Sequence, residues 1–444
     1  MDLRKSGKVR PRLAWDPSDS GGGRQKCRAP GSPAGNGRVV PAGVPGRTPH
    51  TPGMKLNHGL HLAYCTNVHR GETWAETFAA LEKHTLAVRR RVAPDQPYAI
   101  GLRLGDTASR ELADPARLRA FQSWLRLHGC YVFTINGFPY GHFHGRRVKE
   151  QVFQPDWTTP ERLEYTNRLF DLLAELLPEG MTGSVSTVPI SHKLFRLTAS
   201  QAAAARANIW RCVDHLEKLT RRTGRDFHLG LEPEPLGYVE NTGEVVSLFE
   251  QLRADRPGDQ RLREHLGVNY DTCHLAIEYE APQQAFARLR KAGIRISKIH
   301  LSNALRVHPT AQVREALKAF AEDVYFHQVI ERRADGELVR YADLDEALVT
   351  EMADGPQLDR EWRIHFHIPL HAAPTPLFGN TADHLLGTLD EVRSHPGMCS
   401  HFEMETYTWE VLPGALKQSS VVEQLVAEYE WTLAEFAHRG IRRV

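Results

Sequence analysis

Strict alternation of short apolar strands with amphipathic helices predicts a (β/α)8 TIM barrel for most of this 444-residue chain. Eight strand-to-helix units follow one another from residue 56 onward, which is the number that a closed parallel barrel needs. The hydrophobic fraction of 41% and the charged fraction of 25% are typical of a globular protein with a sizeable core. The length beyond a minimal barrel falls in an N-terminal tail and in an insertion between strands 7 and 8.

The first 53 residues do not share this pattern. They contain ten Gly, eight Pro, and ten Lys or Arg against three Asp or Glu, with few large apolar side chains. Such a segment cannot bury enough apolar surface to offset the entropy lost on ordering. Residues 1–53 are therefore predicted to be a disordered basic tail, and residues 54–444 the barrel. The tail could also be a basic arm for an acidic partner, or lie upstream of a natural start at Met54.

Charge and cysteine usage limit the classes of protein that the sequence fits. Without the tail, the 56 basic and 54 acidic residues fall to 46 and 51. A slightly acidic body argues against a nucleic-acid-binding surface, which needs a basic face. The six cysteines form no CxxC pair, no apolar run is long enough to span a membrane, and the start lacks the apolar region of a secretory signal. The sequence therefore predicts a cytoplasmic protein with reduced thiols.

The first four units are recognised from periodicity and helix-start signals. Apolar side chains at helical spacing, including Phe78, Leu81 and Val88, mark the first helix. Proline at the first helical position marks the next two helices at Pro115 and Pro160. The predicted strands are residues 56–65, 98–104, 130–136 and 183–189, and the predicted helices are residues 74–92, 114–127, 159–177 and 200–223.

The last four units consist of short apolar strands that end in polar residues. The predicted strands are residues 226–232, 266–271, 294–302 and 401–407, and the predicted helices are residues 241–253, 282–292 and 419–437. Residues 304–361 form the insertion, which is rich in Arg, Glu and Asp. Helical patterns near residues 313–330 and 342–352 predict a helical insertion that lies over the rim as a lid or an interaction surface.

Residues able to bind a metal stand at the carboxyl ends of strands 5 to 8, which meet at one rim of a TIM barrel. Burying several such groups without a cation would be costly, so the sequence predicts a divalent metal site. Alternation along strand 8 places Glu403 and Glu405 on the same face, and the choice between them stays open. The candidates at these strand ends are Glu232, Asp271, His274, His300, His365, His367, and either Glu403 or Glu405.

The order of these strand-end residues resembles that of the xylose-isomerase-like superfamily. The residues that carry the resemblance are Glu232, the run Asp271-Thr272-Cys273-His274, His300 and Glu405. This superfamily contains sugar isomerases, ketose 3-epimerases and endonuclease IV, and the resemblance covers most of residues 56–440. It implies a metal held by Glu232, Asp271, His300 and Glu405, with the two glutamates as the acid/base pair.

The same resemblance implies further site residues. In the epimerase branch, His274 and Arg306 would grip substrate oxygens. Endonuclease IV has additional histidine ligands, which would fall on His365 or His367 and on the loop residues His142 and His144. Glu234 follows Glu232 through a proline and is expected to face solvent.

Two segments are similar to the EboE-type metabolite-traffic proteins, which are encoded in bacterial gene clusters linked to the delivery of secondary-metabolite precursors. They are residues 54–74 and the run Asn136-Gly-Phe-Pro-Tyr-Gly-His-Phe-His144. The similarity implies a pathway role and partner proteins of the same pathway, but it does not define a reaction.

The ligand set leads to one leading hypothesis and two alternatives. The leading hypothesis is a metal-dependent isomerase or epimerase acting on a sugar-like or polyol-like small molecule. The alternatives are a multi-metal phosphodiesterase or abasic-site endonuclease, and a metal-dependent binding protein without turnover. An oxygen-rich shell suits Mn2+, Mg2+ or Co2+, whereas additional imidazoles favour Zn2+.

Overall fold

The computed structural model describes residues 54–141, 144, 149–321, 325, 327–350, 359–414 and 416–444. The predicted tail, residues 1–53, and the candidate ligand His142 lie outside these described residues.

Eight parallel strands form the predicted barrel. Its strands are β1 (His61–Tyr64), β2 (Tyr98–Arg103), β3 (Cys130–Asn136), β4 (Gly183–Thr187), β5 (Phe227–Leu231), β6 (Leu266–Asp271), β7 (Arg295–Leu301) and β13 (His401–Met404). Hydrogen bonding follows the order β1-β13-β7-β6-β5-β4-β3-β2. A single parallel bridge between Cys65 and Gly101 joins the ends of this order, so the barrel is nearly closed. The predicted TIM barrel is confirmed.

Helices surround the strands and begin at the signals seen in the sequence. Proline occupies the first turn of the helices that begin at Pro115, Pro160 and Pro282, and Thr73 and Thr198 form capping boxes before the helices that begin at Trp74 and Ala199. The predicted helix over residues 74–92 is interrupted by a π-helical turn at Leu81–Thr85. The helices of the barrel are α1 (Trp74–Ala80), α2 (Leu86–Val92), α3 (Asp106–Leu112), α4 (Pro115–Leu127), α5 (Pro160–Leu176), α6 (Ala199–Thr223), α7 (Thr242–Asp255), α8 (Arg261–His265), α9 (Thr272–Ile277), α10 (Pro282–Lys291), α13 (Ala382–Ser394) and α14 (Val421–His438).

The insertion between β7 and β13 carries the two expected helices, but a sheet dominates it. Helices α11 (Ala311–Leu317) and α12 (Leu344–Val349) are shorter than predicted, and a strand at residues 329–332 replaces the end of the helical stretch expected near residues 313–330. The antiparallel sheet consists of β8 (Leu305–Val307), β9 (Val329–Arg332), β10 (Leu338–Tyr341), β11 (Glu361–Ile364) and β12 (Gly379–Asn380). Apart from the β9–β10 hairpin, these strands pair with partners far along the chain, which local periodicity cannot reveal.

The insertion is attached to the barrel through apolar packing. Ile330 of β9 shares a buried cluster with Cys273 and Ile277 of α9, and the Tyr279 hydroxyl donates to the carbonyl of Glu361 at 2.8 Å.

No helix within the described part of the chain has both the length and the apolarity to cross a bilayer.

Gly101 on β2 makes room for a buried carboxylate in the barrel interior. A Cβ atom at this position would lie 1.9 Å from Glu403 Oε1 and 2.7 Å from the carbonyl oxygen of Tyr64. We expect Gly101→Ala to lower the free energy of unfolding by about 1–3 kcal/mol, the usual cost of overpacking. Chemical denaturation checks this, with Gly397→Ala as the control because no atom lies near its Cβ position. Equal stability of the two variants would contradict the expectation.

Candidate metal centre

Four side chains from four strand ends converge at the C-terminal rim of the barrel. Glu232 follows β5, Asp271 ends β6, His300 lies in β7 and Glu405 follows β13. All four are buried, and each offers a ligand atom within 4.8 Å of the other three. The structure thus brings together the four predicted metal ligands, hereafter the four-ligand group.

His300 is oriented by contacts on both of its ring nitrogens. Nδ1 lies 2.9 Å from Glu405 Oε2, 3.0 Å from Glu232 Oε1 and 3.7 Å from Asp271 Oδ2. Nε2 lies on the other side and donates to Glu403 Oε2 at 3.0 Å. Donation from Nε2 leaves the Nδ1 lone pair for a cation among the carboxylates, which is how metal-ligating histidines are usually held.

The ambiguity between Glu403 and Glu405 disappears in the structure. Glu403 forms an ion pair with Lys298 at 2.6 Å, and both side chains are completely buried below the four-ligand group. Burial would raise the pKa of Glu403, but Lys298 and His300 outweigh it and lower the pKa to about 2. Glu405 instead directs Oε2 toward His300, while its Oε1 accepts from the amides of Asn67 and Asn136 at 2.7 and 3.0 Å.

Two carboxylate oxygens of the four-ligand group have no hydrogen-bond partner among the described residues. They are Asp271 Oδ2 and Glu232 Oε2, and both are buried. Asp271 Oδ1, by contrast, accepts from the backbone of Cys273 and His274 and from the Ser302 hydroxyl at 2.6–3.0 Å. An unpaired buried carboxylate oxygen is costly, and a divalent cation would satisfy both of them. The residues therefore fit a metal with three oxygen donors and one nitrogen donor.

Three further imidazoles converge beside Asp271. Their Nδ1–H groups donate to oxygens that can only accept: His274 to the Pro233 carbonyl at 3.2 Å, His365 to Gln328 Oε1 at 2.7 Å, and His367 to the Glu405 carbonyl at 2.6 Å. Each Nε2 is therefore left with a lone pair.

The Nε2 atom of His365 lies close to those of the other two histidines. His365 Nε2 lies 3.0 Å from His274 Nε2 and 3.3 Å from His367 Nε2. Burial lowers the pKa of all three, and the neighbouring imidazoles hold that of His365 well below its usual range. Two further sets of residues offer ligand atoms within 4.8 Å of one another next to the four-ligand group, and each is a candidate position for a second cation: Asp271, His274 and His367, and Cys273, His365 and His367.

A small cavity of about 60 Å3 opens above these residues. Glu232, Glu405, His274 and His365 form part of its lining. Polar side chains at its edge are Asn67, Asn136, Lys149 and Gln328, and its apolar wall consists of Phe138, Pro139, Val152, Phe153, Tyr325 and Tyr407. Its lining combines apolar and aromatic side chains with a few polar groups, which is the usual composition of a small-molecule site.

The structure does not bring every predicted residue to this site. Arg306 lies on β8 of the insertion, where its guanidinium pairs with Asp383 at 2.8 Å, and it does not line the cavity. The chain enters the antiparallel sheet directly after β7, so the residue six positions beyond His300 is carried away from the rim. His144 contacts the Asn67 carbonyl and the Tyr325 hydroxyl at 2.5 Å and lies outside the four-ligand group.

Glu234 was expected to face solvent, and that expectation is wrong. Its side chain is only 7% exposed and lines the cavity. Burial raises the pKa of Glu234 well above its usual range, and the carboxylates of Glu232, Asp271 and Glu405 add to this effect. The only sequence signal was its position two residues after a strand-end glutamate. Sequence reasoning also missed Asn67 as a partner of Glu405.

The fold and the four-ligand group define this chain as a TIM barrel with a candidate metal centre at its C-terminal rim. No protein-family model matches the chain, and no curated protein sequence matches it.

Solved structures do resemble the chain. A D-tagatose 3-epimerase-like protein is 10% identical, with 85% of this chain and 98% of that chain covered at a TM-score of 0.45. A xylose isomerase domain protein from Planctomyces limnophilus is 13% identical, with coverage of 80% and 93% and a TM-score of 0.45. A xylose isomerase-like TIM barrel protein from Mycobacterium smegmatis, in complex with magnesium, is 14% identical, with coverage of 80% and 87% and a TM-score of 0.44.

Proposed function

We propose that this protein is a divalent-metal-dependent isomerase or epimerase that acts on a sugar-like or polyol-like small molecule. The observation that carries the proposal is the four-ligand group, in which Asp271 Oδ2 and Glu232 Oε2 are buried without a hydrogen-bond partner among the described residues. Two of the four ligands are glutamates that also line the cavity, where a substrate would bind.

Glu232, Asp271, His300 and Glu405 would hold the cation. When bound, a divalent metal polarises a carbonyl and an adjacent hydroxyl of the substrate as a Lewis acid. Three carboxylates and one imidazole suit Mn2+, Mg2+ or Co2+, and Zn2+ is also compatible with this donor set.

Glu232 and Glu405 are placed to move a proton at the carbon beside a substrate carbonyl. They reach the cavity from β5 and β13, which are separated in the sheet by β6 and β7. One glutamate would take the proton and the other would return it from a different direction, which is the requirement for epimerisation. Burial raises the pKa of Glu405 against the opposing effect of His300. The apolar wall would limit access of water to the reacting carbon.

The biological setting is proposed from the sequence. The similarity of residues 54–74 and 136–144 to EboE-type proteins supports a role in delivering precursors of secondary metabolites. In this role the protein would work in the cytoplasm beside other proteins of the same pathway.

A second candidate function is hydrolysis at a multi-metal site. The inward-facing Nε2 atoms of His274, His365 and His367 favour it because they add nitrogen donors next to the four-ligand group. This alternative requires at least two metal ions per chain, loss of one of them in His365→Ala, and cleavage of a phosphodiester or of abasic DNA. Its prediction of metal stoichiometry separates it from a one-metal isomerase.

Metal analysis of the native protein tests the proposed function. Protein purified without chelator is expected to carry a stoichiometric divalent metal and to catalyse exchange of solvent deuterium into a ketose. The Asp271→Ala variant is expected to bind no metal, because Asp271 is a completely buried ligand. It is therefore also expected to lose deuterium exchange and to show no rise in melting temperature when Mn2+ is added. The exposed Asp95→Ala variant serves as the control. Equal metal content in the two variants would contradict the proposal.

A further inference from the structure

The carboxylate of Glu234 lies in the cavity without a bonding partner among the described residues. The side chain is 7% exposed and contributes to the cavity lining. No described residue forms a hydrogen bond or an ion pair with this carboxylate. Glu410 shows the usual situation, since both of its carboxylate oxygens accept hydrogen bonds from Arg70. A buried carboxyl group without a partner is costly, and its open side is toward the space that a ligand would fill.

The loop that carries Glu234 is fixed through its backbone. His274 Nδ1–H donates to the Pro233 carbonyl at 3.2 Å, and Gln328 Nε2 donates to the Pro235 carbonyl at 3.1 Å. The backbone N–H of Gly237 donates to the Glu234 carbonyl at 2.9 Å and closes a tight turn. A Cβ at Gly237 would lie 2.6 Å from Pro189, so the turn also requires this glycine. The carboxylate is thus held in the cavity by its scaffold and not by contacts of its own.

The other charged groups among the described lining residues do not suit a negatively charged ligand. Among the described lining residues, Lys149 is the one Lys or Arg, and its ammonium group forms an ion pair with Asp343 of the insertion. The three carboxylates of the four-ligand group would more than balance the charge of one divalent metal. An anionic group on the substrate would therefore find no unpaired lysine or arginine among the described lining residues.

We propose that Glu234 is a substrate-binding residue that accepts hydrogen bonds from hydroxyl or amino groups. The substrate class of this site is then a neutral or amino-bearing polyol, and not a phosphate ester or a sugar acid. This inference rests on the proposed function, since it assigns the part of the substrate that lies away from the metal. It also disfavours the multi-metal phosphodiesterase, whose substrate carries a negative charge.

Matched ligands test this inference on the full-length, Mn2+-loaded protein. The probes are D-ketohexoses, each as the neutral sugar, the 1-amino-1-deoxy derivative and the 6-phosphate, with affinity measured by calorimetry. The wild type is expected to bind the neutral and amino forms more tightly than the phosphate. Glu234→Gln is expected to weaken binding of the amino form by roughly tenfold to a hundredfold, because a hydrogen bond to a charged group is lost.

Two further variants keep the test interpretable. Glu234→Asp retains the carboxylate and is expected to keep the preference for the amino form over the phosphate. Glu250→Gln changes an exposed glutamate on α7 and is expected to bind all ligands as the wild type does. Metal content is measured on the same samples.

The outcomes separate this inference from the function on which it rests. Three outcomes with a metal-loaded wild type would overturn the role of Glu234 and leave the metal centre intact. They are tightest binding of the phosphate, binding of none of the ligands, and the same affinities in the wild type and Glu234→Gln. If the wild type holds no metal, the proposed function fails. In that case retained Glu234-dependent binding of the amino form would still support the binding role.

Discussion

Glu405→Gln is expected to lower the rate of solvent deuterium exchange into a ketose by about 10²–10⁴-fold at saturating Mn2+. A positioned general acid or base contributes a factor of this size, and the amide cannot carry the proton. The amide oxygen can still accept from Asn67, and the other three ligands remain, so metal is expected to bind at millimolar Mn2+. Exchange is followed by NMR or mass spectrometry.

The control is Glu430→Gln, which makes the same change on the exposed face of α14. Metal content measured in parallel distinguishes loss of proton transfer from loss of the ion. Full exchange activity in Glu405→Gln with bound metal would contradict the acid/base role and would favour a site that binds without turnover.

Lys298→Met is expected to lower the free energy of unfolding by about 3–5 kcal/mol. Lys298 Nζ lies 2.6 Å from Glu403 Oε2, and both side chains are fully buried. Removing the ammonium group leaves a buried carboxylate whose remaining partner among the described residues is the His300 Nε2–H. The effect is measured by chemical denaturation of the metal-free protein, which keeps the stability of the fold separate from metal binding.

Lys291→Met, an exposed lysine at the end of α10, is the matched control. The double variant Lys298→Met/Glu403→Gln is expected to recover part of the loss, because the unpaired charge is then gone. Equal unfolding midpoints for the Lys298 and Lys291 variants would show that the buried pair does not stabilise the fold.

The barrel could be predicted from the sequence because its strands are buried on both faces. Such strands appear as short continuous apolar runs, and β3 and β6 begin and end where the sequence predicts. Their carboxyl ends place Asp271 and the other members of the four-ligand group at one rim, so the ligand group followed from the strand assignment.

Other parts of the site depend on contacts that no local pattern records. Alternation could not separate Glu403 from Glu405, and Lys298, which faces the barrel interior, decides between them. Arg306 was predicted to bind substrate because it lies six residues after His300. The chain enters an antiparallel sheet at this point, so this spacing does not predict where Arg306 lies. Glu234 was judged from the proline before it, although the turn closed by Gly237 directs it inward.

The segment inserted between β7 and β13 contributes Tyr325, Gln328 and His365 to the cavity lining. The four-ligand group comes from the barrel itself. The inserted segment therefore supplies part of the cavity wall but none of the four-ligand group. Replacing that segment would change the shape of the cavity and would leave the four-ligand group and Glu234 in place.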